Sequence, residues 1–145
     1  MEDLGAIKYA LGIRITQLEE SICLIQDKLI IQIVVEFRIK KEKAPPSPLP
    51  RNSKELKTLT LEPPKQPPFN FRHAVGLLQY LVQFTRPNLS FATSFLSQFL
   101  ESPCEPHYQV LIHTLKYVSG TKHFSLKLDQ THLNHLKSEI VGFTD

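Results

Sequence analysis

The sequence predicts an α+β protein, and three observations carry that prediction. Near the N-terminus apolar residues alternate with polar ones, at the period of a half-buried strand. Between Phe71 and Gly120 three stretches repeat their apolar residues at helical spacing instead. Eight of the eleven prolines (Pro45, Pro46, Pro48, Pro50, Pro63, Pro64, Pro67 and Pro68) lie in the interval separating the two patterns. The expected architecture is an N-terminal β-hairpin plus helix, a proline-rich linker, a three-helix bundle and short C-terminal β-strands, divided as 1–39, 40–68, 69–121 and 122–145.

Ile7, Tyr9, Leu11, Ile13 and Ile15 alternate with Lys8, Ala10, Gly12, Arg14 and Thr16, which predicts one strand with a buried face. Glu19-Glu20-Ser21 supplies a polar turn. Ser21 to Gln26 then return as a second strand, through a loop somewhat longer than the tightest hairpin. Two strands alone are marginal in water and need a partner surface. Leu29, Ile30, Ile33, Val34 and Phe37 fit a helix over 27–37 with Asp27 as its cap, against the weak helix preference of Ile and Val. From Lys40 to Pro68 no apolar period persists. Prolines remove backbone donors and hold the chain extended, so this interval should be a semi-rigid spacer without a packed core.

The first of the three helical stretches runs from Phe71 to Phe84, with Phe71, Val75, Leu78 and Val82 on one broad face. Gly76 inside it lowers helix propensity by roughly 1 kcal/mol relative to alanine, tolerable if a neighbouring helix must approach closely. Thr85-Arg86-Pro87-Asn88 breaks the pattern, because Pro87 disfavours α geometry at Arg86 and Thr85 or Asn88 can cap a new helix. That second helix carries Leu89, Ala92, Leu96, Phe99 and Leu100 and ends at Ser102-Pro103. A third stripe, Tyr108, Leu111, Ile112, Leu115 and Val118, closes with Gly120, the residue suited to a left-handed position after a helix end. Beyond it Phe124, Leu126 and Leu128 alternate with Ser125 and Lys127, and Ile140 to Phe143 offer another short strand after a polar loop.

A chain of 145 residues with 41% hydrophobic and 21% charged content is ordinary for a globular domain and does not require disorder. The net charge of +3 is unevenly spread: residues 1–37 carry −3, residues 38–72 carry +6 and residues 73–145 are neutral. A basic, extended segment suits phosphate neutralisation with counterion release, and it equally suits a solvated linker. Lys40, Lys41, Lys43, Lys54, Lys57 and Lys65 are its candidate nucleic-acid contacts. Cys23 and Cys104 are far apart, which fits a reducing compartment or buried thiols. No apolar run approaches the roughly 18 residues needed to span a bilayer, and no secretory or transit signal precedes the first strand, so an intracellular protein with no membrane partner is expected.

Several motifs also match a known family. Phe71-Arg72, Val75-Gly76, Leu78, Tyr80-Leu81, Thr85-Arg86-Pro87-Asn88-Leu89, Leu96-Ser97, Phe99, Pro103, His107-Tyr108 and Lys116-Tyr117-Val118-x-Gly120-Thr121 occur in one colinear series. This series resembles the segment between polymerase palm and ribonuclease H in Ty1/copia-type retrotransposon polyproteins. Asp3-Leu4-Gly5, Leu11-Gly12-Ile13 and Gln26-x-Lys28 resemble the stretch following the polymerase active-site hairpin, while Ala10 and Leu29 stand where the family favours aromatics. The resemblance implies the end of a palm, a thumb-like bundle, and the start of a ribonuclease H domain at Gly142-Phe143-Thr144-Asp145. It implies an inherited role in holding an RNA-DNA hybrid or DNA, with the remainder of the polyprotein as partner.

The same resemblance bears on catalysis. The parent family is an RNA-directed DNA polymerase with ribonuclease H, dependent on magnesium held by paired aspartates. No Asp-Asp pair occurs in this sequence. Asp145 is a catalytic carboxylate by resemblance only, and one carboxylate cannot hold two divalent ions, so no cofactor and no enzymatic activity are expected of this chain alone. Cys104-x-x-His107, His113 and His132-x-x-His135 have spacings that zinc sites use, but Cys104 stands where the family favours a hydroxyl cap, and no metal site is expected. No serine sits in the glycine-flanked turn that hydrolase chemistry needs. Arg86 can contact a phosphate or pin the interhelix loop through a carbonyl, the latter being preferred. Tyr80, Tyr108 and Tyr117 could stack on bases but sit beside core positions, which favours partial burial. An independent basic module binding nucleic acid or protein through the linker is the alternative function.

Overall fold

The computed structural model describes residues 8–19, 21–40, 43–53, 64 and 66–129. Along the chain these form β1 (Tyr9–Ala10), β2 (Ile13–Gln17), β3 (Ser21–Ile25), α1 (Asp27–Glu36), α2 (Phe71–Phe84), a 3₁₀ turn (Pro87–Leu89), α3 (Ser90–Ser97), α4 (Glu105–Gly120) and β4 (Leu126–Asp129). The class is α+β. The four strands make one antiparallel sheet in the order β1-β2-β3-β4. The strand following α4 thus pairs with the second arm of the N-terminal hairpin, Ile22 opposite Leu128 and Leu24 opposite Leu126.

The single strand expected over residues 7–16 is two strands. Leu11 (φ 51°) and Gly12 (φ 74°) both lie in the left-handed region, the requirement of the tightest hairpin turn. Tyr9 consequently pairs with Arg14 and Ala10 with Ile13, which puts Tyr9 on the opposite face from the buried Ile13. Its ring carries the Lys28 ammonium 4.4 Å from the centroid. The strain at Leu11 is offset locally, because Tyr80 donates its hydroxyl to the Leu11 carbonyl at 2.6 Å. The second hairpin is tighter than expected. Leu18 and Ser21 exchange backbone hydrogen bonds at 2.8 and 3.4 Å, closing the turn between them.

α1 forms where its apolar spacing predicts, but Asp27 is its first residue and not its cap. Gln26 takes the cap position without a side-chain cap bond, because its fully buried carboxamide oxygen accepts from the Thr85 hydroxyl at 2.7 Å. Asp27 pairs with Arg14 at 2.9 Å and suits the positive end of the helix dipole. α1 closes on Arg38 in the left-handed conformation, with the Ile39 N–H on the Val34 carbonyl.

α2 starts at Phe71 as expected, and Asn70, which the sequence reading did not single out, caps it by accepting the His73 N–H at 3.0 Å. α3 is shorter than its apolar stripe. The 3₁₀ turn takes Leu89, and after Ser97 the amides of Gln98 and Phe99 bond three residues back, tightening the end. Ser97 also bonds the Thr93 carbonyl at 2.8 Å, competing with helix continuation. Phe99 and Leu100 still pack on the core from irregular backbone, and the Phe99 ring stacks on His107 at 3.8 Å.

One core joins all four helices. Ile30 and Ile33 from α1 meet Leu78 and Leu81 from α2, Leu96 from α3, and Leu111, Leu115 and Val118 from α4. α1 packs against α4, so the helical layer contains one more member than the three-helix bundle expected. The first part of the linker is docked as well. Ser47 and Pro48 offer their carbonyls to the His113 ring at 3.0 Å and the Thr114 hydroxyl at 2.9 Å, and Leu49 packs on the core. Prolines free of donor obligations leave these carbonyls available, so residues 43–53 lie along α4 instead of forming a free spacer.

The glycines change roles relative to expectation. Gly120 is the last residue of α4 with no positive φ, and a Cβ there would collide with that of Ala44. It is glycine because the linker approaches. Gly76, where a close helix was expected, faces open space with nothing within 4 Å of an added Cβ.

Arg86 connects the remaining pieces. Only 1% exposed, its Nη1 donates to the Thr121 carbonyl at 3.0 Å, Nη2 to the Thr121 hydroxyl at 2.6 Å and Nε to Asn88 Oδ1 at 3.2 Å. The guanidinium also lies 5.4 Å from the Phe124 ring centroid. Burial pulls its pKa below the usual arginine value, while the neighbouring Tyr117 acts the other way.

Three substitutions test this account by urea denaturation. Gly120→Ala should lose about 1–3 kcal/mol through overpacking against Ala44, whereas Gly76→Ala should gain about 0.5–1 kcal/mol. Arg86→Lys keeps the charge but not the fork, and should cost about 2–3 kcal/mol; a cost near zero would show that the fork is dispensable.

Candidate nucleic-acid interface

Of the lysines assigned to a nucleic-acid surface, Lys40 and Lys43 lie among the described residues, and both are exposed. Ile39, buried in the core, anchors the backbone just before Lys40. Ala44, against Gly120, anchors it just after Lys43. The second of these holds Lys43 at the C-terminal end of α4, where exposed Lys122 and His123 follow the helix. Lys43 therefore shares the C-terminal end of α4 with Lys122 and His123 from a distant part of the sequence. The sequence reading missed Lys122 and His123, because nothing local to them reports that residue 44 returns to residue 120. The negative end of the α4 dipole lies here, favouring cations at this position. Lys41, Lys54, Lys57, Lys65 and Asp145 lie outside the described residues.

Arg86 does not belong to that surface. Its three donor nitrogens are engaged with Thr121 and Asn88 inside the fold, the carbonyl-pinning role. The tyrosines are likewise committed to packing. Tyr80 is tied to Leu11, the Tyr117 hydroxyl accepts from Asn88 Nδ2 at 3.1 Å, and Tyr108 is 3% exposed between Phe69 and Phe71.

The residues with zinc-like spacing serve other ends. The Cys104 N–H donates to His107 Nδ1 at 2.9 Å, and the thiol faces the His107 amide, a capping box at the start of α4. An accepting Nδ1 leaves the ring proton of neutral His107 on Nε2. His113 is spent on Ser47, and His132 and His135 lie outside the described residues. Among the described residues no group of three or more His, Cys, Asp or Glu side chains could hold a metal ion. No helix among the described residues is long and apolar enough to cross a membrane.

Comparison with known proteins gives the sequence its context. No protein-family model matches the chain, and no solved structure matches it. Curated sequences do. The chain is 32% identical over 131 residues, 88% of its length, to the "Retrovirus-related Pol polyprotein from transposon RE1" of Arabidopsis thaliana. It is 32% identical over 127 residues, 83% of its length, to that of transposon TNT 1-94 of Nicotiana tabacum. An uncharacterized mitochondrial protein of Arabidopsis thaliana is 34% identical over 121 residues. The chain spans 8% and 10% of the two polyproteins and 49% of the mitochondrial protein. Similarity across most of the chain, to Pol polyproteins from separate transposons, agrees with the colinear motifs read from the residues: the chain belongs to the Ty1/copia-type retrotransposon Pol polyprotein family and corresponds to one stretch of it.

Proposed function

We propose that this chain is a non-catalytic stretch of a Ty1/copia-type reverse transcriptase and ribonuclease H polyprotein, whose inherited task is to hold the template-primer. The observation that carries the reading is the similarity over 88% of the chain to a Pol polyprotein. The place of the stretch, between palm and ribonuclease H, rests on the colinear motifs from Phe71 to Thr121. A segment of that kind grips nucleic acid by backbone charge and shape, which needs exposed cations on a rigid support and no reactive side chain. Lys40, Lys43 and, at the end of α4, Lys122 supply the charge, and the four-helix core supplies the support.

The chemistry of synthesis is not proposed for this chain. Two-metal phosphoryl transfer needs carboxylates held within a few ångströms of each other, and the sequence contains no paired aspartates. The alternative reading, an independent module working through a free basic tether, draws less support because residues 43–53 are bound along α4.

Titrating the purified chain with an RNA-DNA hybrid at several salt concentrations tests the proposal. Binding should weaken steeply with salt, and the double substitution Lys40→Gln, Lys43→Gln should reduce the slope of log K against log salt by about 0.9 for each phosphate no longer neutralised. An affinity and slope unchanged by the double substitution would remove this surface from the interface, and primer extension by the chain with magnesium present would overturn the non-catalytic reading.

A further inference from the structure

A cavity of about 550 Å³ lies between α3 and the docked linker, within the roughly 300–1,000 Å³ of small-ligand sites. Its inner wall belongs to the core: Phe95 is 3% exposed and edge-on to Phe99 at 5.2 Å, and Leu49 packs against the core cluster. Its outer wall is Phe91, which at 69% exposure is the most exposed phenylalanine or tyrosine ring among the described residues. A ring left in water at the lip of a cavity forgoes the burial that Phe95, one turn further along α3, obtains.

The rim is polar. The Ser53 N–H donates to the Pro50 carbonyl at 3.2 Å, closing a turn that carries Arg51, and buried Ser53 ties that turn to the fold. Arg51, Ser94 and Gln98 line the cavity, are exposed, and make no side-chain hydrogen bond or ion pair among the described residues. No acidic side chain among the described residues lines it. Glu105 faces a neighbouring cleft that shares Pro50 and Ser53, and its carboxylate accepts from Gln109 at 2.9 Å.

These features select among ligands. An aliphatic group would use the aromatic wall and gain nothing from a cation, whereas a phosphate alone would use Arg51 and not the ring. A nucleotide uses both: its base offers a flat π-face to Phe91 and a polar edge to Gln98 and Ser94, while its phosphate pairs with the guanidinium. Arg51 also shares the docked segment with Lys43, at most roughly 30 Å away by chain reach, so one strand of nucleic acid can touch both cations. We propose that this cavity takes an unpaired base of a single-stranded nucleic acid, stacked on Phe91 with its phosphate on Arg51. The inference rests on the reading of the chain as a nucleic-acid grip, and adds to that grip a contact that a paired base cannot make.

Fluorescence anisotropy of the full chain tests it with three labelled probes: a uridine eight-mer, an abasic eight-mer of the same backbone and a blunt RNA-DNA hybrid. Phe91→Leu, at an exposed position and still apolar, should weaken the uridine eight-mer at least fivefold and leave the abasic strand and the hybrid unchanged. Arg51→Gln should weaken both single strands and lower their slope of log K against log salt by about 0.7. No binding of the uridine eight-mer, an affinity insensitive to Phe91→Leu, or an equal loss on the abasic strand would overturn the assignment. Dimerisation of the free chain that Phe91→Leu abolishes would give this face to a second copy and overturn it as well. Failure of the hybrid alone to bind would instead strike the template-primer reading, while the single-strand pattern would still support this cavity.

Discussion

The arrangement of helices and sheet depends on the Thr85-Arg86 junction after α2. Thr85 reaches back to Gln26, between β3 and α1, and Arg86 reaches forward to Thr121, where the chain leaves α4 for β4. Two adjacent residues thus hold both strands that form the β3–β4 pair to the same point on the helical layer. The partners are neutral, so among the described residues the guanidinium is desolvated without a counter-ion. Its stabilisation comes from the match between a planar fork and two oxygens of one residue. Such a fixture is directional where apolar packing is not, and it fixes the angle at which α4 delivers β4 to the sheet.

How much of this was legible follows from the range of each interaction. Helix α2 was readable over its length, since its stripe and its stop at Thr85-Arg86-Pro87 are local, although its cap, Asn70, went unread. Only the start of α3 was local: Pro87 marked it, while its end was set by Ser97 bonding to Thr93 and by Phe99 stacking on a histidine of the next helix. The β1–β2 turn was hidden for another reason. Leucine is rarely left-handed, so Leu11-Gly12 lacks the polar residue that usually announces such a turn, and the alternation of apolar residues continues across it unbroken. The structure shows that this alternation spans two strands with opposite facing.

The candidate surface was legible in part. Lys40 and Lys43 stood out through charge bias alone, but the company of Lys43 with Lys122 and His123 requires the contact between Ala44 and Gly120, which has no local sequence signal. Arg86 was readable as a choice between phosphate and carbonyl, and burial to 1% exposure decides for the carbonyl. Cys104 and His107 illustrate the reverse situation: a spacing shared by metal ligands and capping boxes takes its meaning from the helix that begins between them.

The antiparallel partnership of β3 with β4 has a consequence for biosynthesis. Residue 25 leaves the ribosome roughly 100 residues before residue 129, an interval of roughly 5–20 s at ordinary elongation rates. Throughout that wait β3 presents one bare backbone margin together with Ile22 and Leu24, an adhesive combination for any neighbouring nascent chain. The acidic pair Glu19-Glu20 immediately before it supplies electrostatic repulsion between identical copies, a guard on the margin until its proper occupant is synthesised.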